Sequence, residues 1–160
     1  MLVNPDNPNN NDYREELRTA APGLGLTLQI VTARTDDDLP IAFATALASR
    51  AAAILVGADP FLINRRRQIV GLAARHAIPA IYSVRDFVDA GGLVSYSTDP
   101  SEVYRQLGIY AGRIIKGEKL ANLPVMQPSK FELVINMGAA KALGLTVPPT
   151  LLAIADEVIE

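Results

Sequence analysis

Three groups of polar residues could do chemistry in this sequence, and each sits where a short apolar run ends. Asn4 closes the run Leu2-Val3, and Asn9, Asn10 and Asn11 stand where the next helical stretch starts. Side-chain amides and free backbone N–H groups there could hold a carboxylate or another anion. Asp59 follows Ala53-Ile54-Leu55-Val56 in Gly57-Ala58-Asp59-Pro60-Phe61. As an unpaired acid beside an aromatic ring, it would receive a ligand's ammonium group, helped by the face of Phe61. Ser83 follows Pro79-Ala80-Ile81-Tyr82. The same residues also have a plainer reading, because Asn, Asp and Ser at strand ends form turns and cap helices. Asp59 in particular could cap the helix that opens at Phe61. What favours binding is their shared position, since open parallel sheets hold ligands beyond the carboxyl ends of their strands.

Catalytic signatures are missing, and the chain reads as a non-enzyme that needs no cofactor or metal. Its one histidine, His76, has no second histidine to share a metal and reads as a residue that favours the dipole at a helix C-terminus. Without cysteine there is no disulfide, thiolate nucleophile or cysteine-ligated metal. Gly23-Leu24-Gly25 and Gly91-Gly92 lack the spacing and the following Lys-Ser/Thr of a phosphate loop, and no Gly-x-Ser-x-Gly elbow occurs. Asp36-Asp37-Asp38 reads as acid placed at a helix N-terminus, and Arg65-Arg66-Arg67 as a solvated helix face. Fifteen basic against seventeen acidic residues give a net charge of −2, which exerts no general pull toward nucleic acid or an anionic bilayer. The longest apolar stretch, residues 51–58, is too short to be inserted in a membrane, which takes about 20 residues.

The elements that must position these residues alternate between short β-branched runs and longer amphipathic stretches, the pattern of an α/β fold with a parallel sheet. Strands are expected at 2–4, 27–32, 53–56, 79–82, 93–96 and 131–135. Helices are expected from about Asp12 to Pro22 burying Tyr13, Leu17 and Ala20, and from Asp37 or Asp38 burying Phe43, Ala46 and Leu47. One more runs from Phe61 to His76 burying Ile69, Leu72 and Ala73. Asp99-Pro100-Ser101-Glu102 gives the clearest helix start in the chain, joining an N-cap, a proline at the first helical position and a capping-box acid. The helix it opens carries the stripe Val103, Leu107, Ala111 and Ile114 and ends at Lys116-Gly117. Residues 123–128, with two prolines, read as an extended crossing segment. Asn136 should cap a short helix that closes at Gly144.

Long collinear runs then carry a family resemblance. Residues 55–61, 65–82, 85–96, 109–117 and 130–148 together resemble the substrate-binding proteins of ABC transporters, in their tryptophan-binding group. That resemblance implies a type I periplasmic-binding fold, with two lobes joined by crossing strands and a small solute such as an amino acid held between them. It also implies an ABC permease as partner and a periplasmic location reached with a secretion leader. No basic-then-apolar leader precedes Leu2-Val3, so the chain as it stands would remain in the cytoplasm. The sequence resembles the C-terminal half of the family. Residues 1–82 would form the ligand-binding lobe, and 83–127 a crossover segment and helix normally packed on the other lobe. Residues 128–160 would be a return strand, short helix and C-terminal segment. Candidate solute contacts are Asn4, Asn9, Asn10, Asp59, Phe61 and Ser83. Ser83-Val84 and Ser97 depart from the family's pattern, which commonly has an acid and a Trp at the first pair and Gly at the other.

The apolar stripe of residues 103–114 needs a partner surface, since each such side chain fully buried contributes about 1.5–3 kcal/mol. A second copy of the chain, by symmetric association or exchange of elements, is the expected partner, giving a homodimer. Two alternatives share this fold: a sensor domain that regulates an effector, and a vestigial fragment that only oligomerises.

Overall fold

The computed structural model describes residues 1–128 and 130–160, apart from the side chains of Asn11 and Asp12. Its strands are β1 (Leu2–Val3), β2 (Val31–Thr32), β3 (Ile54–Val56), β4 (Ala80–Tyr82), β5 (Val94–Thr98), β6 (Phe131–Asn136) and β7 (Glu157–Ile159). They form one sheet in the order β2-β1-β3-β4-β5-β6-β7. The first five run parallel, β6 lies antiparallel to β5, and β7 runs parallel to β6. This is the α/β lobe expected from the alternating pattern. The carboxyl ends of β1, β3 and β4 lie side by side, so Asn4, Asp59 and Ser83 reach one edge of the sheet as the spacing required.

Helices α1 (Asn10–Gly23), α2 (Asp38–Ala48), α3 (Pro60–Asn64), α4 (Arg66–Arg75) and α5 (Asp86–Asp89) connect the parallel strands. The core is aliphatic with few rings. Leu2, Ile54 and Val56 from the sheet meet Leu39 and Phe43 of α2, Leu62 of α3, Ile69 and Leu72 of α4, and Phe87 of α5. Tyr82 stacks on Phe87 with ring centres 4.6 Å apart. Gly92 admits that ring, because a Cβ there would stand 2.5 Å from Tyr82 Cε2 and 2.7 Å from the Phe87 carbonyl oxygen.

Several expectations are corrected. The stretch 27–32 pairs only through Val31 and Thr32, because β1 offers a two-residue ladder. Tyr13 and Ala20 of α1 are exposed and Leu17 is half-buried; Asn10 and Ala21 take the inward positions instead. In α2 the inward face is Leu39, Ala42, Phe43 and Ala46, and Leu47 is exposed. The expected single helix from Phe61 to His76 breaks at Arg65, whose φ of −101° and ψ of 15° end α3 and open α4. His76 does sit at the C-cap of α4, its ring stacked on Phe43 at 6.3 Å.

Between β5 and β6 the chain makes an excursion through α6 (Pro100–Ile115) and a 3₁₀ turn (Leu120–Asn122). Asp99 caps α6 as its sequence predicts, Oδ1 accepting from the Ser101 N–H at 2.9 Å. No side chain of α6 is buried. Its stripe is open at Val103, Leu107 and Ile114, and Val125 and Met126 extend the apolar surface. Asp99 and Lys130 close the base of the excursion with an ion pair of 2.8 Å. After β6, Asn136 caps α7 (Met137–Ala142), with Oδ1 accepting from the Ala139 N–H at 2.8 Å. Then α8 (Pro149–Ile154) leads into β7.

Candidate functional site

The loop after β1 is held together by its own asparagines. Asn4 Oδ1 accepts from the Asp6 N–H at 3.1 Å, and Asn7 Oδ1 accepts from the Asn9 N–H at 3.1 Å. Asn10 Nδ2 donates to the Asn4 carbonyl at 2.7 Å, which fastens the start of α1 to the end of β1. Asn is suited to this role because one short side chain carries both a donor and an acceptor.

Asp59 joins this loop to the next unit. Its Oδ1 accepts from the N–H groups of Phe61 at 2.8 Å and Leu62 at 3.2 Å, which caps α3. Its Oδ2 accepts from Asn7 Nδ2 at 2.8 Å, and Asn4 Nδ2 lies 3.4 Å from both oxygens. The residue is only 3% exposed. Asp59 is therefore not the unpaired acid its sequence context suggested. Both oxygens already have donors, and the helix-capping alternative is the one realised.

Phe61 is half-buried, and one face of its ring is taken. The Arg65 guanidinium lies over it, Cζ 4.5 Å from the ring centre. Arg65 Nε in turn donates to Asp36 Oδ1 at 2.6 Å. Other carboxylates near this edge are also engaged. Asp6 pairs with Arg34 at 3.1 Å. Asp38 accepts from the N–H groups of Arg34 and Thr35 at 2.8 and 2.9 Å, which hold its carboxyl below the ordinary aspartate range. Ser83 differs from all of these. Its hydroxyl oxygen is buried and hydrogen-bonds no described residue.

The structure thus brings Asn4, Asn10, Asp59, Phe61 and Ser83 to one edge but divides their roles. Asn4, Asn10 and Asp59 organise the backbone, Phe61 carries a cation, and Ser83 retains unused hydrogen-bonding capacity. Asn9 is exposed and begins α1 without a side-chain cap. Asn11, the third amide at that helix start, has its side chain outside the described residues. Sequence reasoning missed Asn7 and Arg65. Asn7 looked like turn filler between two prolines; its partner lies 52 positions away, beyond any local pattern. Arg65 carried a readable sign, since it stands four residues after Phe61, the spacing at which helical side chains meet.

Among the recesses that described residues form elsewhere, two are the more enclosed. One, of about 130 Å³, opens between α4 and α7 near Gly91 and Gly92, with alanine-rich walls. The other, of about 170 Å³, runs between α6 and Met126, Gln127, Pro128 and Lys130. Among the described residues no group of three or more His, Asp or Glu side chains is placed to hold a metal ion. No described helix is long and apolar enough to cross a membrane.

A family model described as ABC transporter substrate binding protein matches residues 1–159. Among solved structures, a conserved domain protein from Vibrio cholerae superposes with a TM-score of 0.89 at 26% identity, covering 98% of this chain and 53% of its own. The ABC domain from Streptococcus pneumonia in complex with L-Trp gives 0.88 at 27% identity, covering 99% of this chain and 55% of its own. A ligand-free, open substrate-binding protein with adhesive properties from Clostridium difficile gives 0.72 at 18% identity, a likeness of fold alone, covering 99% and 52%. The chain therefore spans about half the length of the solved structures it matches. A comparison with curated proteins returned no match.

Proposed function

Because the chain belongs to the ABC transporter substrate-binding protein family, we propose that it supplies one ligand-holding lobe of an importer's solute-binding component. The solute is small, an amino acid being the first candidate, and sits at the sheet edge formed by Asn4, Asp59, Phe61 and Ser83. One observation carries this reading. At the edge where open parallel sheets take ligands, Ser83 stands beside Asn4 and Asp59 and, like Ser95 within β5, holds a buried hydroxyl that bonds to no described residue. The relative in complex with L-Trp, at 27% identity, supports the choice of an amino acid. Binding is the function, with no bond made or broken, and the partner that takes the solute onward is an ABC permease. The periplasm, or the outer face of the membrane, is where this family works.

The open stripe on α6 belongs to the same reading. The rest of each relative's length is a body about as large as this chain. A second copy therefore has the size to cover Val103, Leu107 and Ile114, which gives a homodimer. Light scattering at micromolar concentration checks this, and a stable monomer refutes the dimer without touching the solute assignment.

Solute binding is tested by a thermal-shift and NMR screen with amino acids, small carboxylates and amides. The expected result is stabilisation by one chemical class, weakened in Ser83→Ala, with amide shifts clustered at residues 4–10, 57–61 and 83. Ser83→Ala is the variant of choice because Asp59→Ala would disturb the fold as well. No response to any compound at millimolar concentration would refute the proposal.

A further inference from the structure

The charged group best placed to meet a solute is a cation, although the sequence drew attention to an acid. Asp59 is saturated by backbone and amide donors, so it has little left to offer an ammonium group. Asp6 and Asp36 pair with arginines, and Asp38 is held by two backbone N–H groups. Arg65 stands differently. It is fixed at two points, over the Phe61 ring and through Nε to Asp36. Its two terminal nitrogens donate to no described residue, and its side chain is 36% exposed.

A guanidinium held by a ring face and by Nε presents its remaining N–H groups as a fork. That geometry matches the two oxygens of a carboxylate. Its restraint before binding also lowers the ordering cost that a free arginine would incur. The surroundings favour an anion. Arg65 opens onto a recess shared with Asn64, Arg66, Arg67 and Gln68, in which Asp36 is the only acid among the described residues. Arg66, whose Nη1 donates to the Ile63 carbonyl at 3.3 Å, lines this recess and, with Arg67, also borders another that holds Asp86 and Asp89.

We infer that Arg65, held by Phe61 and Asp36, receives the carboxylate of the solute, so that this lobe reads the anionic end of an amino acid and not its ammonium. The inference rests on the solute-binding reading above and narrows it to carboxylate-bearing compounds.

The test is a ¹H–¹⁵N titration of the whole chain with L-tryptophan and, separately, L-tryptophanamide, which differ at the carboxylate. L-Tryptophan should bind more tightly than the amide and shift the Arg65 Nε–H resonance. Loss of a charged hydrogen-bonded pair corresponds to about tenfold or more in affinity. Arg65→Ala should therefore weaken L-tryptophan by about tenfold or more and leave the amide unchanged. Arg65→Lys, which keeps the charge and loses the fork, should fall between. If the wild type binds acid and amide equally, the inference is overturned and solute binding stands. Full affinity in both Arg65 variants, with well-dispersed spectra, overturns it in the same way. If neither compound binds, the inference also fails, and solute binding fails with it only when the wider amino-acid screen is silent too.

Discussion

Replacing Asp59 tests the structural reasoning where most interactions converge. Asp59→Ala removes the cap of α3, which by itself costs about 0.5–2 kcal/mol. It also strands Asn7 Nδ2, whose bond to Asp59 is 2.8 Å, and loosens Asn4 Nδ2 at 3.4 Å. A donor left without its partner in a partly buried place costs about 1–3 kcal/mol. Together these give roughly 1.5–5 kcal/mol, a large share of the 5–15 kcal/mol that holds a domain folded. For a chain of this length the midpoint of thermal unfolding should fall by about 3–20 °C. Asp59→Asn separates the two contributions. Asparagine caps as well as aspartate, but its NH₂ would meet the NH₂ of Asn7, so this variant should lose only about 1–2 kcal/mol. Urea unfolding of the three proteins, with unchanged slopes, measures both numbers. A loss under about 1 kcal/mol in Asp59→Ala would refute the account of Asp59 as the fastener between β1, its loop and α3.

Three further outcomes follow from packing and charge. Gly92→Ala should cost about 1–3 kcal/mol in thermal unfolding, because the new methyl collides with the Tyr82 ring and the Phe87 carbonyl. Glu102, bonded by the Arg105 guanidinium and then by Gln106, has its carboxyl lowered from 4.5 to about 2. A depressed folded value adds stability above the unfolded value, and that stability is lost as pH falls from about 4.5 toward 2. Carboxyl-carbon NMR should place its midpoint near 2, and Glu102→Gln should remove the part of the acid sensitivity that falls in this window. Burial pushes the Tyr82 phenol above its usual value near 10, so its contribution is present below pH 10 and lost as pH rises further. Absorbance at 295 nm should show a late ionisation that coincides with unfolding and is absent in Tyr82→Phe.

Local signals in the sequence located the elements well wherever the cause was local. Asp99-Pro100-Ser101-Glu102 opens α6 at the expected residue, and Asn136 caps α7 with its own side chain. β3 and β4 follow from β-branched runs covered on at least one face. What failed depended on distant partners. The ladder of β2 is short because β1 is short. The capping reading of Asp59 could be anticipated from Pro60 and Phe61, but not its saturation, since Asn7 and Asn4 reach it from more than fifty residues away. The amphipathic stripe of α6 was legible, while its lack of any buried side chain was not. Periodicity reports that a face is apolar and says nothing about which body covers it.

The pairing of β5 with β6 has a consequence for rebuilding the molecule. Thr98 and Phe131 stand opposite one another at the end of an antiparallel ladder that continues to Val94 and Ile135. The chain therefore departs and returns through adjacent positions, and the thirty-odd residues between them are topologically a long hairpin loop. A two-residue Asn-Gly turn fits such a gap. Splicing one in place of residues 99–130 would keep the seven-stranded sheet and the carboxyl edge with Asn4, Asp59 and Ser83. It would also remove the exposed apolar stripe of α6. The result would be a shorter chain that keeps the edge and lacks the stripe, in which the proposed capture of a solute can be measured apart from the proposed association.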